Sequence, residues 1–439
     1  MALTLIRTLD LRGAELTSAV VNSAVPRASI DISMAVDAIR PLLAAVAERG
    51  EETIVEVALE RDGFDPRPIR VEAAELQDAL TRLAPELRVA IQTSIDRVRE
   101  VSIATLPNSV SVELAAGALV HQRWQPVDSV GLYVPGGKAV YPSSVIMNVV
   151  PAQEAGVSRL AIATPGQKDF GGRPHPTVLA TAALLGVEDV YCMGGPAAIA
   201  AFAYGLPTIG LEGVNLVTGP GNIYVAAAKR ALRGQIGIDS AAGTTEILVI
   251  ADQTADARLI AFDLISQAEH DEAAASVLVT DSQALAEAVV AQLSELAPKA
   301  AHAERVLAAL AGQQSAVVLV DDIDAAISFA NAYATEHLEI QTADDAAVLG
   351  RITNAGAIFI GKYSPVSLGD YMAGSNHVLP TGQQAKFGAG LGVHTFLRAQ
   401  QVIEYDRQAL GEIATRVRDF AESEHLPAHG EAITARFDG

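Results

Sequence analysis

The chain of 439 residues has a single cysteine, Cys192, one tryptophan, and aromatic side chains at only 5% of its positions. One thiol closes no intrachain disulfide and builds no cysteine-ligated zinc site. A bound metal must therefore draw on imidazole, carboxylate or amide donors. Cys192 lies in the apolar run VEDVYCMGG, which reads as a packed strand and not as a reactive-thiol setting. Bases are scarce as well: 31 Lys and Arg stand against 52 Asp and Glu, for a net charge of −21. So acidic a surface repels phosphate backbones and excludes nucleic acid as an expected partner. No stretch approaches the roughly 20 uninterrupted apolar residues of a membrane helix. The opening MALTLIRTLDLRGAE has no signal-peptide core, so the cytoplasm is the expected location and no membrane contact is expected. The standard fingerprints are missing too. No G-x-G-x-x-G follows a strand, and neither a G-x-x-x-x-G-K-[ST] loop, a G-x-S-x-G elbow nor an H-E-x-x-H helix occurs.

Core-forming material is ample, with 50% hydrophobic residues and 19% charged. A chain this long is expected to divide into two or more globular units. From Ile30 to about Arg99 the pattern is helical, with TIVEVALERDGFD between the helices alternating like a strand and turn. VSVELAAGALVHQRWQPV reads as extended segments. From Ser129 to about Asp239 strand, turn and helix alternate, and several apolar runs end in glycine, which points to a parallel sheet with its functional edge at the strands' carboxyl ends. GPGN, residues 219–222, opens a helix whose N-terminus suits a phosphate. The same texture returns after residue 240, with strands expected at Ser276–Thr280, Ala316–Val320 and Ala357–Ile360. Gln401 to about Glu422 reads as a helix. The expected fold is α/β: two Rossmann-like α/β domains lacking a standard G-x-G-x-x-G, with a small N-terminal arm and a C-terminal helical tail. Residues 1–29 form the arm, 30–128 and 240–390 a discontinuous first domain, 129–239 a second, and 391–439 the tail.

The chemistry gathers around Ile238–Asp271, IDSAAGTTEILVIADQTADARLIAFDLISQAEHD. Gln267 and His270 fall three apart on a helix and project from one face. Such a pair is either half of a metal site or a polar helix end with a solvated imidazole. Glu336-His337, adjacent in NAYATEHLEI, is either an acid/base pair or a helix-end His beside an exposed Glu. Asp370 sits between Gly369 and Gly374 in a long, poorly periodic loop, where a carboxylate serves as ligand or as turn former. Residues alone reach an α/β enzyme with a His/Asp/Gln metal centre and give no reaction.

At these residues the sequence resembles the histidinol dehydrogenase family. IDSAAGTTEILVIAD, GLYVPGG, YPSSVIMNVVPA, TGPGNIYVAAAKR, ATEHLEI, GDYMAGSNHVLPT and LPAHGEA follow one another in the family's order over nearly the whole chain. The resemblance implies an NAD-linked enzyme with one Zn²⁺ per subunit. It would oxidise L-histidinol through L-histidinal to L-histidine, reducing two NAD⁺ at the final step of histidine biosynthesis. It carries zinc ligation to Gln267, His270, Asp370 and His429, and catalysis to Glu336, which activates water, and His337, the general base. Substrate contact falls on these six residues except Glu336, and on Thr245, His377 and Glu424. NAD⁺ contact falls on Tyr133 and Asn222. Position 197, often Gln in the family, is Ala197 here and cannot hydrogen-bond a cofactor. The hydroxyl of Thr245 stands where Ser is common. The resemblance also implies a homodimer whose tail reaches the partner subunit's site. A related enzyme acting on another small alcohol, a zinc hydrolase and a non-catalytic scaffold are the alternatives. His377 and Glu424 count against the first and GPGN against the second.

Overall fold

The computed structural model describes residues 5–27, 32–136, 139–240 and 243–438. Gly137, at the first expected strand end, and Ala241-Ala242, inside IDSAAGTTE, lie outside them. In chain order, β1 (Arg7–Asp10) is followed by a run of helical segments and then the antiparallel hairpin β2 (Val110–Ala115) and β3 (Ala118–Pro126). A five-stranded parallel sheet comes next: β4 (Ser129–Tyr133), β5 (Arg159–Thr164), β6 (Val190–Cys192), β7 (Leu216–Thr218) and β8 (Gly237–Ile238). A second parallel sheet follows with β9 (Glu246–Ala251), β10 (Ala275–Thr280), β11 (Ala316–Leu319), β12 (His337–Gln341) and β13 (Ala357–Ile360). The long β14 (Leu397–Tyr405) returns to pair with β3 and is followed by the tail helices Arg407–Ser423 and Pro427–Thr434.

Both parallel sheets share one winding. The five-stranded sheet runs β6-β5-β4-β7-β8, and the other runs β11-β10-β9-β12-β13 with β1 added beyond β11. In each, the first strand is central, two strands extend to one side, and the next two extend to the other. A crevice opens where the order reverses, between β4 and β7 and between β9 and β12. The strands are apolar runs because helices cover both faces: every residue of β4, β9 and β10 is buried. Ile247, Val249 and Ala251 pack toward helices Ala257–Ala268 and Gln283–Leu296, while Leu248 and Ile250 pack toward Ile323–Tyr333.

The two Rossmann-like sheets and the arm bear out the expected class, but the packing corrects the grouping of residues 30–128 with 240–390. Helix Ile32–Arg49 buries Ile39, Leu43 and Val46 on the β4 side with Ala161 and Phe202. Helices Ala73–Arg82 and Pro85–Ala104 bury Leu76, Ile91, Ile95 and Val98 on the opposite face of that same sheet. The apolar stripe identifies a helix but not the sheet that receives it. TIVEVALERDGFD is also helical, as Glu51–Val57 continued by a wider turn to Asp62. Two acidic residues start it, where the helix dipole favours them. The helix expected from Gln401 begins at Arg407, since Gln401 lies in β14 opposite Gln122 and Asp406 caps the helix by accepting from the Ala409 amide at 2.7 Å. Leu391, Val393 and Phe396 belong to the core of the five-stranded sheet, so the tail proper starts at β14. Among the described residues no helix is long and apolar enough to cross a membrane.

Candidate active site

His337 opens β12, with Glu336 just before it, at the amino end of the six-stranded sheet, beside Glu246, which opens β9. Helix Ala257–Ala268 runs back across this sheet and delivers Gln267 and His270 to the same edge. Helix Val366–Tyr371, from the glycine-rich loop, supplies Asp370. His377 follows in that loop, which crosses to the other sheet: Asn376 Nδ2 donates to the Met147 carbonyl at 2.6 Å, and Ser144 Oγ lies 3.4 Å from His377 Nε2. Seven of the expected residues therefore meet here: Thr245, Gln267, His270, Glu336, His337, Asp370 and His377.

A hydrogen-bond relay connects them. Gln267 Nε2 donates to Thr245 Oγ1 at 2.6 Å, and Thr245 Oγ1 donates to Glu336 Oε2 at 2.6 Å. The Glu246 amide adds a second donor to Glu336 Oε2 at 2.9 Å. Among the described residues no donor reaches Oε1, which is the oxygen left for chemistry. His337 Nδ1 lies 3.1 Å from the Glu246 carbonyl. A carbonyl only accepts, so Nδ1 carries the proton and Nε2 presents a free lone pair. Burial pushes the Glu336 carboxyl up to about 8, against the lowering effect of its Thr245 and Glu246 donors. Burial pushes His337 down, with Asp370 opposing, so the imidazole is neutral and basic. His377, its Nδ1 at 3.2 Å from the Asp370 carbonyl, is pushed down by burial to about 4 and is neutral as well.

The metal-type donors are partly assembled. His270 Nε2 and His377 Nδ1 each lie 3.9 Å from an Asp370 carboxylate oxygen, and His270 is 40% exposed. Gln267 is the informative residue. Its amide nitrogen is committed to Thr245, while its buried Oε1 has no hydrogen-bond partner. An orphaned amide oxygen is unfavourable without a ligand, and it fits a hard or borderline cation. No cluster of three His, Cys, Asp or Glu side chains close enough for a metal occurs among the described residues. A single chain holds Gln267, His270 and Asp370 here, while His429 and Glu424 are exposed on the tail helices. The one-chain structure does not bring those two to the site.

Tyr133 and Asn222 lie on the five-stranded sheet, on either side of its reversal point: Tyr133 ends β4, and Asn222 caps the helix after β7. The Tyr133 hydroxyl accepts from the Gly195 amide at 3.0 Å, and burial pushes the phenol up to about 12. Asn222 Oδ1 accepts from the Tyr224 and Val225 amides, leaving Nδ2 to donate outward. The turn before it needs Gly219, with φ +114° and any Cβ only 2.1 Å from the Tyr133 carbonyl oxygen. Lys229, buried against Asp239 at 2.6 Å, locks that turn and is not free to meet a phosphate. Ala197 is buried and apolar. The glycine-marked carboxyl edge expected here is present, yet Glu336 and His337 sit at the amino edge of the other sheet. Cys192, buried and pushed up to about 11, is inert packing as expected.

Three residues of this site carried no sequence signal of their own. Glu246 acts here through its main chain, which any residue possesses. Ser144, inside the helix Pro142–Glu154, faces His377. Gly356 lets β13 approach Glu336: a Cβ there would meet the Glu336 carbonyl oxygen at 2.6 Å.

Replacing Thr245 by Val, which keeps the shape and removes the hydroxyl, severs both links of the relay. It is expected to lower kcat about tenfold, whereas Thr245→Ser should stay near the wild-type rate. Steady-state kinetics of the two variants check this.

The histidinol dehydrogenase family model matches residues 25–437. The chain is 58% identical over 433 residues to histidinol dehydrogenase of Leifsonia xyli, covering 99% of each chain. It is 55% identical to that of Mycolicibacterium smegmatis, over 98% of this chain and 97% of the relative. The structure superposes on a crystal structure of histidinol dehydrogenase from Elizabethkingia anophelis with a TM-score of 0.92 at 29% identity, covering 99% of this chain and 98% of that one. The chain belongs to the histidinol dehydrogenase family, oxidoreductases of the final step of histidine biosynthesis.

Proposed function

We propose that the chain oxidises L-histidinol through L-histidinal to L-histidine, as a zinc- and NAD⁺-dependent homodimer. The observation that carries this reading is the arrangement at β12: a neutral imidazole with a free Nε2 and a carboxyl with a free Oε1, beside the orphaned amide oxygen of Gln267. Gln267, His270, Asp370 and a partner subunit's copy of His429 would hold the zinc. Bound zinc would fix the substrate's imidazole and amine nitrogens, and two successive NAD⁺ would accept hydride. One anionic ligand among neutral ones would leave the ion a net positive charge, which favours an added neutral nitrogen donor from the substrate.

The chain's own groups divide the proton work. His337 Nε2 removes the hydroxyl proton as the alcohol is oxidised, and its Nδ1–H stays fixed on the Glu246 carbonyl. Glu336 Oε1 takes a proton from the water that adds to the aldehyde, giving the hydrate whose oxidation yields the carboxylate. His377, held neutral, and a partner subunit's copy of Glu424 bind the substrate. Tyr133 and the Nδ2 of Asn222, flanking the β4–β7 crevice, hold the dinucleotide, with contacts at position 197 dispensed with.

Support for a dimer comes from the tail. Val110, Val112 and Leu114 of β2, with Ile403, Phe420 and Leu426, are exposed, and an apolar surface of that kind is characteristic of an interface.

The test is direct. Purified protein with L-histidinol and NAD⁺ should form about two NADH per histidinol, the count this stoichiometry requires. Chelation should abolish turnover and zinc restore it. Zinc-loaded protein that forms no NADH would sink the proposal.

A further inference from the structure

We propose that Arg27, from the N-terminal arm, is a positioning residue for the Glu336–His337 pair and acts through Glu246. This rests on the reading of that pair as catalytic.

Arg27 follows helix Ser18–Ala24, which docks Val21 and, beyond its end, Val25 into the core beneath helix Ile323–Tyr333. The guanidinium is committed on every nitrogen. Nε donates to both Glu246 carboxylate oxygens at 2.9 and 3.0 Å, and Nη2 donates to Oε2 at 2.8 Å. Nη2 also donates to the Tyr333 carbonyl at 2.6 Å, and Nη1 donates to Asn22 Oδ1 at 3.2 Å. The group stacks 3.9 Å over the Tyr333 ring. The fork geometry and the stacking are both specific to arginine.

Two consequences follow for the site. Tyr333 ends the helix that leads, through Ala334 and Thr335, directly into Glu336. Arg27 satisfies one of that helix's unpaired terminal carbonyls and so anchors the approach to the catalytic strand. The other consequence runs through Glu246, whose backbone amide holds Glu336 and whose backbone carbonyl holds His337. Its side chain is almost fully buried, and among the described residues Arg27 is its ion-pair partner and the Gly382 amide a further hydrogen-bond donor. A shift of Glu246 therefore displaces both reacting groups together. Without Arg27 the carboxylate is a buried, uncompensated charge beside Glu336, which strongly disfavours the native position. The other titratable neighbours of Glu336 are His270 and His337, whose Nδ1 lies 3.6 Å from Oε2.

The experiment uses the zinc-loaded, full-length protein and separate assays of histidinol and histidinal oxidation. Arg27→Gln should lower kcat about tenfold or more with KM within about threefold, and should slow both half-reactions alike. Arg27→Lys should recover only part of the loss, since an ammonium cannot make the fork. Arg27→Gln with Glu246→Gln, which removes both charges and keeps the backbone of residue 246, should be faster than Arg27→Gln alone. Rates are normalised to folded, zinc-loaded protein, so a stability effect is separated from positioning. If Arg27→Gln does not fold, the double variant and Arg27→Lys carry the test. Wild-type kcat in folded Arg27→Gln would overturn the proposal, as would a change in KM alone. Glu336→Gln and His337→Ala run in parallel. Wild-type rates in those two would remove the catalytic reading itself, whereas their loss beside an unaffected Arg27→Gln would remove only the role of Arg27.

Discussion

Glu336→Gln is expected to slow the histidinal half-reaction by about 10²–10⁴-fold, the range lost when a positioned general base is removed, and to slow the histidinol half-reaction far less. The amide keeps the shape and still accepts from Thr245 Oγ1 and the Glu246 amide through its oxygen. It lacks the second carboxylate oxygen that would take water's proton. The pH dependence follows from the same burial. The fold raises this carboxyl from an ordinary 4.5 to about 8, burial outweighing the two donors. A base works only when ionised, so histidinal oxidation should rise with pH. A bound dication favours the anion, so the midpoint should fall no higher than about 8. Glu336→Gln should lack that limb. Stability has the opposite sign. A raised folded pKa means that the protonated form is favoured by the fold, so its contribution is complete below about 4.5 and lost as pH rises through about 8. Metal-free wild type should therefore lose thermal stability over that window, and metal-free Glu336→Gln should lose less. Stopped-flow and steady-state rates on histidinal across pH, with melting curves of the apo proteins, check both signs. Equal losses on the two substrates would count against the hydration role.

What the sequence made legible was local chemistry, and what it hid was long-range pairing. Gln267 and His270 are three apart on one helix, so their common face follows from helical geometry alone. Glu336-His337 could be read as a pair because adjacency needs only one turn to aim both inward. The apolar strands β10 and β11 were readable because parallel sheets are buried on both faces. Arg27 offered nothing comparable, since its partner Glu246 lies 219 residues away. Glu246 itself holds Glu336 and His337 through main-chain atoms, which leave no trace in a side-chain pattern. The helices of residues 32–104 showed their apolar stripes, yet both sheets present equivalent apolar faces, and only the fold selects the β4 sheet. Glu51–Asp62 mimicked a strand because a short run of alternating residues also satisfies a helix with Ile54 and Ala58 buried. The edge on which these side chains gather was half visible. Glycines marked the carboxyl ends of the first sheet, while the amino-end site of the second depends on where helix Ala257–Ala268 stops.

Mixing His429→Ala with His337→Ala, each inactive alone, is expected to restore about one quarter of wild-type activity. The figure follows from symmetry. At equal mixing about half the dimers are hybrids, and each hybrid holds one site with both intact residues and one with neither. The expectation rests on geometry that a single chain leaves incomplete. Gln267, with its orphaned buried oxygen, and Asp370 sit together at the sheet edge, yet His429 is exposed on Pro427–Thr434. That helix packs against Arg407–Ser423, which β14 carries outward on the β2–β3 hairpin. If His429 instead folded back to its own chain's zinc, every hybrid would contain two crippled sites and recovery would be nil. Differently tagged subunits co-purified after exchange establish that hybrids form, so an inactive mixture of proven hybrids would sink the shared site. Zinc content gives a second readout. His429→Ala dimers should bind the metal more weakly, by about 10–100-fold or more since a ligand itself is lost, whereas His337→Ala dimers should retain it. The two variants thus fail for different reasons, one for want of metal and one for want of a base. Complementation in the hybrid requires that both reasons be cured at the same site.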